Sequence, residues 1–143
     1  MFIKRNVNGA SIAVETCGFA KKEEVLKIAE LTDIFLFDWK VTDEEQHKKY
    51  TGIDNAVILE NVRALNALNI PFIVRTPLVP QVTDSVENIT AIATFIRGLK
   101  NLQRYELLNF NPLGAQKYQS LGRADVFALQ RPLTAAQLQV RLQ

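Results

Sequence analysis

Four short apolar runs punctuate this sequence: "SIAVET" (11–16), "DIFLFDWK" (33–40), "IPFIVRTPLVP" (70–80) and "YELLNFN" (105–111). The stretches between them carry apolar residues at helical spacing. Val25, Ile28, Ala29 and Leu31 mark the first, Val57, Ile58, Val62, Leu65 and Leu68 the next, and Val86, Ile89, Ile92, Ala93 and Ile96 a third. This alternation of strand-like and helix-like periods predicts βαβ units and a parallel sheet of about four strands with flanking helices. The fold class is therefore α/β, a partial (β/α) barrel.

Local signals set the expected boundaries. Thr42 with Glu45, and Asp84 with Glu87, have the spacing of capping boxes, as do Thr134 and Gln137 ahead of a last helix over 134–143. Pro77 and Pro80 should end ladder pairing just after Arg75. The loop after the fourth strand, "PLGAQKYQSLGRADV", has room for one helical turn. No repeat or linker divides the 143 residues, so one domain over 1–143 is expected.

Composition excludes several functions. A net charge of +2, with seventeen Lys and Arg dispersed along the chain, gives no nucleic-acid footprint. No apolar stretch approaches the roughly 18 residues that span a bilayer, and "MFIKRNVNGAS" lacks a signal-peptide core, which points to the cytoplasm. A single cysteine suits a reducing compartment and excludes any metal site built only from this chain's thiolates. Neither "TCGFAKK" nor "NPLGAQK" fits a phosphate-binding loop.

Ligands of parallel sheets bind beyond the carboxyl ends of the strands. Glu15, Thr16, Asp38, Lys40, Arg75, Asn109 and Asn111 fall there and form the candidate site. Two acids and two cations at neighbouring strand ends suit a zwitterion such as an amino-acid moiety, or they pair with one another. Glu15, Thr16 and Asp38 also offer oxygens to a cation. Cys17 has no basic partner nearby in sequence, and His47, in "EEQHKKY", is expected on a solvated helical face; both read as noncatalytic. Trp39 is expected in the core, as is Tyr50.

Taken together, "VETCGF", "LFDWKVTDEEQHKKYTGIDNAVILENVRAL", "VRTPLVPQVTDSVENITAIATFI" and "ELLNFNPLGAQKYQSLGR" resemble successive blocks of the glycyl-radical-enzyme activating enzymes of the pyruvate formate-lyase type, over about residues 10–123. The resemblance implies the last four strands of a radical S-adenosylmethionine (β/α)6 barrel. It implies an oxidoreductase that uses S-adenosylmethionine and a [4Fe-4S] cluster to place a radical on a glycine of a partner, a glycyl radical enzyme. By the same resemblance Asp38 and Lys40 are the Asp-x-Lys element that places the cofactor and the partner's glycine loop. Glu15, Thr16 and Asp38 are then associated with a monovalent cation, and Arg75 and Asn111 with the cofactor. The family's CxxxCxxC and GGE elements do not occur in this sequence, so the chain alone is expected to be inactive, with an exposed barrel edge that favours self-association. Two other readings stand beside it: a noncatalytic partner-binding fragment, and a small βα enzyme holding a divalent metal on Glu15 and Asp38.

Overall fold

The computed structural model describes residues 9–141; the N-terminal segment and residues 142–143, which the sequence assigns to the last helix, lie outside the described residues. Its elements are β1 (Ala13–Thr16), α1 (Lys22–Ala29), β2 (Ile34–Asp38), α2 (Glu44–Thr51), α3 (Ala56–Ala67), β3 (Phe72–Leu78), α4 (Val86–Ile96), β4 (Leu102–Asn109), α5 (Ala115–Ser120) and α6 (Ala135–Arg141). A 3₁₀ turn at Pro112–Gly114 precedes α5. The strands form one parallel sheet in the order β1-β2-β3-β4, so spatial order repeats chain order. Among the described residues no helix is long and apolar enough to cross a membrane.

The core lies on one face of the sheet. Phe35, Phe37, Phe72 and Val74 alternate onto that face and pack against Val25, Ala29, Ile58, Val62, Leu65, Ile92 and Ile96 of the helices. Trp39, just past β2, joins them with its ring 4.8 Å from that of Phe95. The same alternation sends Glu15, Leu36, Asp38, Ile73, Arg75 and Glu106 to the opposite face. A smaller core of Leu78, Ile89 and Leu133 seats the C-terminal segment.

Several sequence expectations shift. Asp43, not Thr42, caps α2 by accepting from Gln46 N–H at 2.8 Å, and Ser85, not Asp84, caps α4 by accepting from Asn88 N–H at 3.1 Å. In each case two capping-type residues are adjacent, and the second is the one with extended backbone at the helix start. At α6 the box is as expected, with Thr134 and Gln137 exchanging bonds. Ile28, Val57, Leu68 and Val86, assigned to apolar stripes, are exposed. β4 begins at Leu102, three residues before the expected start.

Prolines do not end β3 at Arg75. Pairing with β2 stops there, but the ladder to β4 runs on through Pro77 to Leu78. Arg75 O accepts from Trp39 N–H at 2.8 Å, so Arg75 bonds toward β2, and Pro77, two residues on, faces the same way. The N–H that Pro77 lacks would point past the end of β2, where no ladder needs it.

The turn after β1 is fixed from α3. Asn61, fully buried on the apolar stripe, donates through Nδ2 to Gly18 O (2.8 Å) and Ala20 O (2.9 Å), while its own Oδ1 is buried without a partner. Asn61→Leu keeps the branched shape at a larger volume and removes that orphan, but takes a donor from two backbone carbonyls, of which Gly18 O keeps its bond from Ala20 N–H at 3.1 Å and Ala20 O loses its side-chain partner. A net loss of about 1–2 kcal/mol is expected, read as a lower urea midpoint at unchanged m.

Candidate functional site

Three strand ends bring three of the seven candidate residues into one cluster. Arg75 of β3 donates from Nε (3.0 Å) and Nη2 (2.7 Å) to Asp38 Oδ1 of β2, and its Nη2 lies 2.5 Å from Glu15 Oε1 of β1. The Arg75 side chain is 13% exposed, Asp38 27% and Glu15 64%, so the cluster grades from the sheet interior to solvent. The bond to Glu15 holds the guanidinium above its ordinary pKa; burial opposes this and Asp38 adds to it. Arg75 is therefore a permanent cation flanked by two acids. The pairing of these charges with one another is what the structure contains.

The other candidates separate. Lys40 is exposed, and among the described residues its ammonium has no ion-pair partner, while its carbonyl is bonded by Asn88. Thr16 Oγ1 accepts from Gly18 N–H at 3.0 Å and shapes the turn. Asn109 exchanges two 2.9 Å bonds with the Leu133 backbone, anchoring the C-terminal segment. Asn111 Oδ1 accepts from Leu113 N–H at 3.1 Å, a local turn. Glu15 and Asp38 converge on a guanidinium, and no group of three or more His, Cys, Asp or Glu suited to a metal occurs among the described residues.

His47 is not on a solvated face. It is buried, and since a carbonyl only accepts, its Nδ1–H donates to Ile53 O at 2.8 Å, beside Thr51 Oγ1 at 3.0 Å. The charged neighbours of His47 disguise one inward position of α2. Cys17 and His47 line the same cavity of about 90 Å3, together with Asp38 and Lys40. Trp39 is core, as expected; Tyr50 is exposed instead, its hydroxyl 3.5 Å from Gln81 O, on a larger cavity of about 460 Å3 between the segments following β2 and β3.

Sequence reasoning missed Arg104 and Glu106. They form an ion pair on the face that carries Arg75, and Glu106 is the register neighbour of Arg75. Strict alternation from Leu102, which packs on the core, would turn both inward; a one-residue register shift after Leu102 instead sets Arg104 beside Ile73 and Glu106 beside Arg75, and an irregularity of that kind has no clear mark in the sequence. Behind the site, Tyr105 donates to Thr76 Oγ1 at 2.9 Å, and burial raises its phenol pKa.

No family model matches the sequence. Among curated proteins, the trans-4-hydroxy-L-proline dehydratase activating enzyme of Clostridioides difficile is 36% identical over 127 residues, 87% of this chain and 42% of that protein. The isethionate sulfite-lyase activating enzyme of Nitratidesulfovibrio vulgaris is 42% identical over 113 residues, 78% of this chain and 36% of that protein. The pyruvate formate-lyase-activating enzyme of Streptococcus mutans is 31% identical over 128 residues, 85% of this chain and 49% of that protein. The chain thus spans less than half the length of these relatives. A crystal structure of a domain of pyruvate-formate lyase-activating enzyme from Bacteroides vulgatus superposes with a TM-score of 0.74 over 94% of this chain and 74% of that one, at 23% identity, which shows a shared fold.

Proposed function

This chain is homologous to the C-terminal part of the glycyl-radical-enzyme activating enzymes, and from that premise we propose that it supplies, as a single domain in the cytoplasm, the strand-end side of a site for S-adenosylmethionine and a partner's glycine loop. The partner is a glycyl radical enzyme. The observation that carries this reading is the Glu15–Arg75–Asp38 cluster beside an unpaired Lys40 at the carboxyl ends of parallel strands.

The residues present fit an amino-acid moiety. Lys40 offers an uncompensated ammonium to a carboxylate, and the exposed Glu15 offers an acceptor to an ammonium group. Arg75 holds both acids in place, so their oxygens stay oriented when the site is empty of other cations. When bound, S-adenosylmethionine supplies the family's radical chemistry; this chain's residues bind and orient it.

They do not fit the iron–sulfur cluster. Three thiolates are needed and the sequence holds one cysteine, Cys17, so cluster ligands must come from outside these 143 residues. β1 supports the same reading of an incomplete sheet, since among the described residues it pairs only with β2. Its free edge is suited to further strands or to a second copy of the chain.

Calorimetric titration of the chain with S-adenosylmethionine tests the proposal. Saturable binding is expected, weakened about tenfold by Lys40→Ala, the loss of one charge-assisted contact, and unchanged by Lys117→Ala on the exposed surface of α5. Absence of binding at millimolar cofactor, or indifference to Lys40→Ala, overturns it.

A further inference from the structure

Lys40 is exposed, yet the backbone that carries it is held from several directions. β2 ends at Asp38. Beyond it, Trp39 N–H donates to Arg75 O at 2.8 Å and Trp39 O accepts from Thr76 Oγ1 at 2.8 Å. Two residues past Lys40, Thr42 O accepts from Asn55 Nδ2 at 2.7 Å. Lys40 itself and the Thr42 N–H are bonded by a single side chain, Asn88 in the first turn of α4.

Every polar group of the Asn88 amide is engaged. Nδ2 donates to Lys40 O (2.9 Å) and to Thr83 O (3.0 Å), and Oδ1 accepts from Thr42 N–H (3.0 Å). A flipped amide would set its oxygen against two carbonyls and its NH2 against an N–H, so the bonding pattern fixes its orientation. The amide is not needed for the cap of α4, because Ser85 Oγ takes the Asn88 backbone N–H. Its three bonds instead tie the segment after β2 to the segment after β3, across 46 and 48 residues of sequence on the β2 side.

We propose that Asn88 is the positioning residue for Lys40: its amide fixes the Lys40–Thr42 backbone, and so sets where the Lys40 ammonium is presented at the strand ends. Only a side chain with two donors and an acceptor in one plane satisfies all three groups, and Asn is short enough to do so from the first turn of α4. Asp38 needs no such help, because it lies within the β2–β3 ladder. The inference rests on the reading of Lys40 as a contact for cofactor or partner, and its test separates the two.

Backbone relaxation and amide exchange of the full chain, without ligand, are compared in wild type, Asn88→Ala and Asn88→Asp. Exchange at Thr42 N–H is expected to rise about tenfold in Asn88→Ala, which removes its acceptor, and to rise in Asn88→Asp as well, because a carboxylate oxygen is repelled by the Lys40 and Thr83 carbonyls. The Lys40 backbone should gain mobility in both, since neither variant donates to its carbonyl, while the β2 and β3 amides stay protected. An unchanged Lys40 order in Asn88→Ala overturns the proposal. S-adenosylmethionine affinity is then measured for Asn88→Ala in the wild-type and Lys40→Ala backgrounds. Weakening in the first and a change under about twofold in the second is the expected coupling. Equal weakening in both backgrounds means that Asn88 acts on the fold at large, and overturns the positioning role. A wild-type chain that binds no cofactor sinks the reading of the site instead, and leaves Asn88 to be judged by the relaxation data.

Discussion

Gly18→Ala is expected to remove about 3–4 kcal/mol of stability, a large fraction of what a domain of this size has. Two separate effects add. Gly18 has φ +75°, where a side chain costs about 1–2 kcal/mol, and a Cβ built there would overlap the Phe37 ring, with Cε2 at 2.7 Å. Phe37 is 1% exposed and packed in the main core, so the ring has no space to yield. Gly52 provides the control: its φ is +84°, but nothing lies within 4 Å of an added Cβ. Chemical denaturation should give Gly52→Ala the conformational cost alone and Gly18→Ala at least about 1–3 kcal/mol more. Equal losses would show that the ring contact is not limiting. The site should suffer as well, because Gly18 N–H and O are the groups through which Thr16 and Asn61 fix the exit from β1 just after Glu15.

Arg75→Gln is expected to cost about 2–3 kcal/mol, most of it through Asp38. Removing the guanidinium leaves the Asp38 carboxylate, 27% exposed at the last pair of the β2–β3 ladder, without its two charge-assisted bonds. Glu15 loses less, because it is largely solvated. The remaining acids, Glu15, Asp38 and the neighbouring Glu106, then repel one another, so added salt should recover part of the loss. Arg75→Lys should recover little, because an ammonium cannot supply the Nε and Nη2 pair to one carboxylate oxygen. Denaturation midpoints at low and high salt measure both; an Arg75→Gln variant as stable as wild type at low salt would show that the acids do not depend on this cation.

The sheet and most helices were legible because their apolar periods differ so clearly. β2 and β3 need burial on the helix-facing side, and the sequence supplies Phe35, Phe37, Phe72 and Val74 at the required alternation. The cluster of Glu15, Asp38 and Arg75 was legible as a set because strand ends in a parallel sheet share one rim. Which residue would neutralise which was not, since that depends on register, and register placed Arg75 beside Asp38 and Glu106. His47 was hidden by the charges around it. Asn61 and Asn88 were hidden for a different reason: their partners are backbone carbonyls and amides, which have no residue identity and leave no pattern in a sequence. Asn109 was assigned to the rim correctly by position, but its amide is committed to Leu133.

The strand order gives the sheet a polarity in growth as well as in hydrogen bonding. Each strand is laid down beside its immediate predecessor, so no later connection has to pass over an earlier one at the β1 side. Asn109 and Arg141 fasten the opposite end, the first through Leu133 and the second through Asp84 O at 2.6 Å. Strands added at β1 would extend the rim that carries Glu15, Asp38 and Arg75 without unmaking a contact already formed, so the edge nearest the charged cluster can grow while the cluster stays as it is.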